Sequence, residues 1–231
     1  STVIYRTTFI NNLAEMGSGV YIVDKQLVLI EKTEFLFNGV PYNGVPIQHH
    51  SGHFIQMSKE GGAIRLNNII NCSIVESSFV QNKAACLGGG IGGIDIEVLS
   101  IKNCFFNNNI LFSNIKCRYK GGAAHVERTG GAAHVERTGG GYYKSQNTVI
   151  SVIYGTIFIN NNAILGRALY ITNARAFIIQ ETKFIVNEVS QSGDAIHFSE
   201  TRQCSLVKSS FIQNKARGQG GGIFFGIGKY I

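Results

Sequence analysis

Tryptophan is absent from the 231 residues, and proline and methionine occur only twice each. Charge is scarce as well: Asp, Glu, Lys and Arg make up 15% of the chain, with aspartate confined to Asp24, Asp95 and Asp194. A hydrophobic share of 44% still excludes wholesale disorder, because such a chain can bury enough apolar surface to offset the cost of ordering. No apolar run reaches the roughly 18 residues of a membrane-spanning helix, so no transmembrane helix is expected. The five cysteines form no Cys-x-x-Cys pair, which removes the usual zinc-ribbon spacing. The 28 glycines follow no three-residue period, which removes collagen. A net charge of +7 would suit an anionic partner, yet the basic residues are scattered. They read as a solvated face, and no specific nucleic-acid partner is expected.

What the chain does have is repetition. The phrase SSFVQNKAACLGGGI at 77–91 returns as SSFIQNKARGQGGGI at 209–223. Aligned on Phe-x-x-Asn, seven rows emerge: Phe9/Asn12, Phe35/Asn38, Phe79/Asn82, Phe106/Asn109, Phe158/Asn161, Phe184/Asn187 and Phe211/Asn214. Chance supplies about one such pair at this composition. The Phe-to-Phe steps are 26, 44, 27, 52, 26 and 27, and the 52 reads as two periods. Other columns keep step. Two residues before each Phe stand Thr7, Thr33, Ser77, Cys104, Thr156, Thr182 and Ser209. Fifteen before it, closing a glycine phrase, come Val20, Ile64, Ile91, Tyr143, Leu169 and Ile196, followed four residues later by Asp24, Asn68, Asp95, Asn147, Asn173 and Glu200.

Apolar and polar residues alternate through VLIEKTEF and CSIVESSF, which is the period of a strand, and β-branched residues dominate. Asn and Gly punctuate the segments, as turns with unusual backbone angles require. Rungs of about 26 residues holding several short strands predict an all-β chain, a right-handed parallel β-helix of about 8–9 rungs. Phe would stack in the core, and Asn amides would donate to one rung while accepting from the next. A leucine-rich-repeat solenoid is the alternative. Its frame puts apolar groups three, five and eight residues before Asn, and here the middle one is Ser, Thr or Cys.

These motifs resemble the repeats of chlamydial polymorphic membrane proteins. Gly61-Gly62-Ala63-Ile64 matches the Gly-Gly-Ala-Ile motif literally, Gly89-Gly90-Ile91 and Gly221-Gly222-Ile223 closely, and the Phe-x-x-Asn rows complete it. The likeness extends over most of the chain outside 39–60 and 112–139. It implies a β-helical surface adhesin. Secretion through that family's C-terminal membrane barrel is not carried over.

The pattern breaks twice. Residues 39–60 hold both prolines and no Phe-x-x-Asn, and read as an irregular rung or loop. Residues 112–139 contain GGAAHVERT twice in succession, at 121–129 and 130–138. Perfect identity beside divergent neighbours suggests a recent duplication or an assembly artefact, with one degenerate rung or a loop. Residue 231 falls inside a rung and neither end carries a cap. The chain is therefore read as a single β-helix segment, 1–231, excerpted from a longer protein and prone to end-to-end or lateral self-association.

Candidate chemistry is thin. A glycoside hydrolase needs two carboxylates about 5–10 Å apart. Asp24 and Asp95 sit in one turn column with Asn68 between them, where side-chain-capped turns explain all three. Pairing of Asp194 with Glu200 has nothing to recommend it. His49, His50 and His53 cluster without a further ligand at zinc-like spacing, and His125/Glu127 and His134/Glu136 are copies of one another. Cys72 and Cys204 share an apolar column with Val28, Leu99 and Phe177, and read as small buried residues. Cys86 and Cys117 lie in irregular segments. Asn71-Cys72-Ser73 is a lone glycosylation-type triplet. No metal, cofactor or catalytic residue is assigned.

One outward column remains. The position after the glycine-phrase apolar residue holds Tyr21, Arg65, Gly92, Lys144, Tyr170, His197 and Phe224. On strands these side chains should face out, forming an aromatic and basic stripe suited to a protein or glycan partner. The sequence thus points to a structural or adhesive β-helix at the cell surface or outside the cell. A polysaccharide lyase or glycoside hydrolase on the same fold is the alternative.

Overall fold

The structure, a computed structural model, describes residues 1–14, 16–39, 47–48, 54–55, 61–84, 88–111, 124–127, 150–165, 168–172, 176–192, 195–199, 203–215 and 221–226. Among these residues every regular element is a strand. Three parallel sheets, of eleven, seven and four strands, run the length of a parallel β-helix. No helix faces any of them among the described residues, which disposes of the leucine-rich-repeat alternative.

Each rung is built from the sequence phrases in order. The glycine phrase opens it. Gly17, Gly61 and Gly88 all have positive φ, and a Cβ on Gly61 would collide with the Ile64 carbonyl. The eleven-stranded sheet follows. In the early rungs it contributes 12-residue strands, Val20–Glu31, Ile64–Val75 and Ile91–Lys102. Asp24 and Asn68 bend the first two at φ of 53° and 54°. Later rungs split the same path into two strands, such as Leu169–Thr172 and Ala176–Gln180. A second corner leads into the seven-stranded sheet, whose three-residue strands carry the Phe column, as in Glu34–Leu36 and Ser78–Val80. After each Asn, short strands such as Lys83–Ala84 and Asn162–Leu165 form the four-stranded sheet.

Phe and Asn do as their chemistry requires. Phe35, Phe79, Phe106, Phe158 and Phe184 are fully buried, and successive rings from Phe9 to Phe211 stack with centroids 4.6–5.0 Å apart. That spacing is the distance between neighbouring strands, so backbone pairing dictates ring stacking. Asn82 shows the ladder in full. Its Oδ1 accepts from the Asn38 backbone N–H at 3.0 Å and from Asn38 Nδ2 at 3.0 Å. Its Nδ2 donates to the Phe35 carbonyl and to Asn109 Oδ1, each at 2.9 Å. The same links join Asn12, Asn38, Asn82, Asn109, Asn161, Asn187 and Asn214 in turn.

Two expectations need correction. The 52-residue step is one rung, not two: Phe106 stacks on Phe158 at 4.9 Å, and Asn109 donates to Asn161. The extra residues are an insertion. The strand Ala124–Glu127 pairs with Ile91–Lys102 on one side, and His125 pairs with Tyr170 on the other. The same rung then resumes at Ile150–Tyr154, beyond residues outside the description. Likewise Phe35 stacks directly on Phe79, so of the irregular rung or loop expected at 39–60 the Phe column leaves room only for the loop. There the described residues Ile47–Gln48 and Phe54–Ile55 pair antiparallel in a sheet of their own.

Candidate functional site

The outward column after the glycine phrase is continuous in register. Tyr21 pairs with Arg65, Arg65 with Gly92, Gly92 with His125, His125 with Tyr170, Tyr170 with His197, and His197 with Phe224. Tyr21, Arg65, Tyr170, His197 and Phe224 therefore share the column that the spacing assigned them. The spacing assigns Lys144 to the same column. It lies outside the described residues, and its rung is held by His125. Tyr143, fifteen residues before Phe158, also lies outside the described residues, and Ala124 and His125 hold the register positions of Ile91 and Gly92.

Arg65 also departs from the expected outward stance. Tyr21 is 49% exposed, whereas Arg65 is buried, with Nη1 donating to the Leu66 carbonyl at 3.0 Å. Its guanidinium turns back on its own strand, and its neighbour in the next rung, Gly92, brings no side chain. Among the side chains described, the column offers an exposed phenol at Tyr21 and a partly exposed ring at Phe224. His125, Tyr170 and His197 hold the register positions between them.

The other candidates resolve as structural groups or fall outside the description. Asn68 Nδ2 donates to Asp24 Oδ1 at 2.7 Å, joining two left-handed bends, so this column works as a side-chain-bridged corner. His49, His50, His53, Cys86, Cys117, His134, Glu136, Asp194 and Glu200 lie outside the described residues. Cys72 is buried between Val28 and Leu99, as its column required, whereas Cys204, paired with Phe177, is only partly buried. Burial pushes the thiols of Cys72, Cys104 and Cys204 up to about 12, so none is a nucleophile at neutral pH. Among the described residues no group of three His, Cys, Asp or Glu stands close enough to hold a metal.

A polar corner between the first and second large sheets escaped the sequence reading. Arg6, Lys32, Glu76, Asn103, Gly155, Glu181 and Lys208 all take positive φ there, one per rung. Behind these turns a side chain bridges the bend: Thr33, Thr156 and Thr182 donate to the carbonyls two residues earlier, the Cys104 thiol does the same to Lys102, and Thr182 N–H donates to Ser209 Oγ. Solvent-side charges pair along this corner. Lys32 lies 3.3 Å from Glu31 and 3.6 Å from Glu76, and the bond to Glu31 raises its pKa. The Tyr154 hydroxyl donates to Glu181 at 2.9 Å, which lowers the carboxyl and raises the phenol. The signal that could have found this corner was the Thr/Ser column itself, since a hydroxyl two residues before a core Phe needs a carbonyl partner.

Comparison with known families adds one finding. The Chlamydia polymorphic membrane protein repeat matches residues 208–226. That stretch carries the last Phe-x-x-Asn row, Phe211/Asn214, and the Gly221-Gly222-Ile223 phrase. No curated protein and no solved structure matches the chain significantly.

Proposed function

We propose that this chain is a structural or adhesive β-helix segment of a surface or extracellular protein, and that it meets a protein or glycan through the outward column beginning at Tyr21. The observation that carries this reading is the unbroken register of that column across the eleven-stranded sheet. Aromatic and imidazole groups repeated at the strand spacing of about 4.8 Å suit flat sugar faces or an extended peptide, both of which present repeating contacts. The repeat match supports a surface setting, because the matched family is named for membrane proteins. No helix among the described residues is long and apolar enough to cross a membrane, so attachment would come from another device.

A panel of immobilised glycans and host or matrix proteins, probed with the purified chain, tests the proposal. Binding should survive Lys144→Ala and fall at least about tenfold in a Tyr21→Ser/Tyr170→Ser/His197→Ser variant, as loss of clustered aromatic contacts implies. Binding unaffected by that triple change would remove the column from consideration. Cleavage of any glycan on the panel would replace adhesion with the polysaccharide-acting alternative.

A further inference from the structure

On the outer face of the seven-stranded sheet a mostly apolar column runs beside a mixed one, and across the seven described strands both read alike forwards and backwards. On each three-residue strand the central Phe points in, so its two neighbours face solvent. The neighbour after Phe gives, rung by rung, Ile10, Leu36, Val80, Asn107, Ile159, Ile185 and Ile212. Ile10 and Ile212 are 51% and 45% exposed, and those between are partly exposed. Isolated apolar residues on a surface are ordinary, but a row of them along one face calls for a cover.

We propose that this face pairs with a second copy of the same chain, the two helix axes antiparallel, about a two-fold axis running along the strand that holds Phe105 and Asn107. Such an axis lies in the interface, keeps strand direction and reverses rung order, so each column meets itself backwards. Ile10 then faces Ile212, Leu36 faces Ile185, Val80 faces Ile159, and Asn107 faces its own copy, where two amides can exchange hydrogen bonds. The neighbour before Phe pairs equally well. Thr8 faces Ser210, Glu34 faces Lys183, Ser78 faces Ile157, and Phe105 faces itself. Both charges of this column are exposed, and the reversal brings them together with opposite sign. At the adjoining turn Phe37 meets Val186, both exposed and both apolar.

Under the same reversal the last residues of the preceding strands put Lys102 against its own copy, a like-charge contact. Along the corner Lys32 meets Glu181, while Arg6 meets Lys208, a like-signed pair on an exposed corner that salt screens. Identical strand spacing in both copies keeps every rung in step. That is why a self-complementary column selects a second copy over an unrelated partner.

Sedimentation equilibrium of the full 231-residue chain provides the test. A dimer is expected. Glu34→Lys and Lys183→Glu should each weaken it by about tenfold, since each creates two like-charge contacts per dimer. The double variant Glu34→Lys/Lys183→Glu should recover the parent affinity to within about threefold. Within one copy the two residues are four rungs, about 19 Å, apart, too far to rescue one another directly. Ile159→Lys should give a monomer with an unchanged circular dichroism spectrum. A monomer at all concentrations, or single charge effects that add without recovery in the double variant, overturns the proposal. So does a larger assembly that Ile159→Lys leaves intact.

Discussion

Asn82 is satisfied four times over, and each of its bonds has a backbone or ladder group at the far end. Asn82→Ala leaves the Phe35 carbonyl, Asn109 Oδ1 and the Asn38 donors short of a partner in a buried place. At about 1–3 kcal/mol for an orphaned group, the loss should reach roughly 3 kcal/mol or more by chemical denaturation. Asn12→Ala, in a half-buried rung, should cost clearly less. Equal costs at the two positions would contradict the ladder as a source of stability. Phe and Asn were legible because few residues can do what they do. Only a carboxamide both donates and accepts at one atom pair, and only a ring fills a 4.8 Å layer so completely. The left-handed corners were not legible, since Lys32, Glu76, Phe37 and Val186 are types that avoid positive φ. Stacking overrules that preference: Phe37 N–H donates to the Val80 carbonyl at 3.0 Å and Val186 N–H to the Ile212 carbonyl at 2.9 Å. The buried thiols add a pH signature. Their folded pKa of about 12 lies above the ordinary 9.0, so the unfolded chain releases these protons first. Their contribution is intact below pH 9 and is lost as pH rises toward 12, by about 1.4 kcal/mol per pH unit for each group. Cys72→Ala should flatten the fall of stability over that window, and at pH 8 iodoacetamide should label Cys72 and Cys104 only after unfolding.

At the scale of the element, glycine has two different duties that one motif conceals. Gly62 and Gly222 both belong to a glycine phrase, yet a Cβ on Gly62 would meet the Gly89 and Lys83 carbonyls inside contact distance. A Cβ on Gly222 would rest 3.7 Å from the Phe211 side chain, an ordinary contact. Gly62→Ala should therefore lower the melting temperature sharply or prevent folding, while Gly222→Ala changes it little. A similar drop for both would show that the space around the missing Cβ is not what separates the two positions, since chain entropy alone would favour alanine. The duplicated nonapeptide raises a sharper question about elements. Ala124–Glu127, in the first copy, pairs beside Ile91–Ile94, and Val126 occupies the register position of Leu66 and Phe198, both buried. The second copy, 130–138, offers an identical strand sequence. Moving nine residues from one connection to the other alters loop closure by well under about 1 kcal/mol. Val126→Lys alone and Val135→Lys alone should each be tolerated, the intact copy taking the strand position, while the two together are strongly destabilising. If Val126→Lys alone is as damaging as the pair, the first copy holds the position exclusively. This is also where sequence reading failed on the outward column. Identical phrases cannot reveal which copy pairs, and an insertion within a rung defeats counting from the Phe.

For the whole molecule the governing fact is that every rung touches only its neighbours. The core is one column of Phe rings beside columns such as Ile30, Ile74, Ile101, Ile153 and Ile179, all fully buried. Stability in such a stack is close to a sum of rung terms and rung-to-rung interfaces. Phe106 stands in the middle of the described Phe column, 4.6 Å from Phe79 and 4.9 Å from Phe158. Its rung is also the last before the first path of the large sheet divides into separate strands. Phe106→Ala removes a ring from both stacks and opens a cavity that flanking strands cannot collapse, since their spacing is fixed by backbone hydrogen bonds. The expected cost is about 3–5 kcal/mol. More telling is the form of the transition. With the central coupling weakened, the rungs before and after Phe106 should unfold at separate temperatures, and hydrogen exchange should show two protected blocks with different opening energies. Phe9→Ala removes a ring whose described stacking partner is Phe35, away from the centre of the column, and should shift a single transition without dividing it. A Phe106→Ala protein that melts in one step, with uniform exchange throughout, would show that the stack is cooperative over its full length and that coupling does not pass through the Phe column.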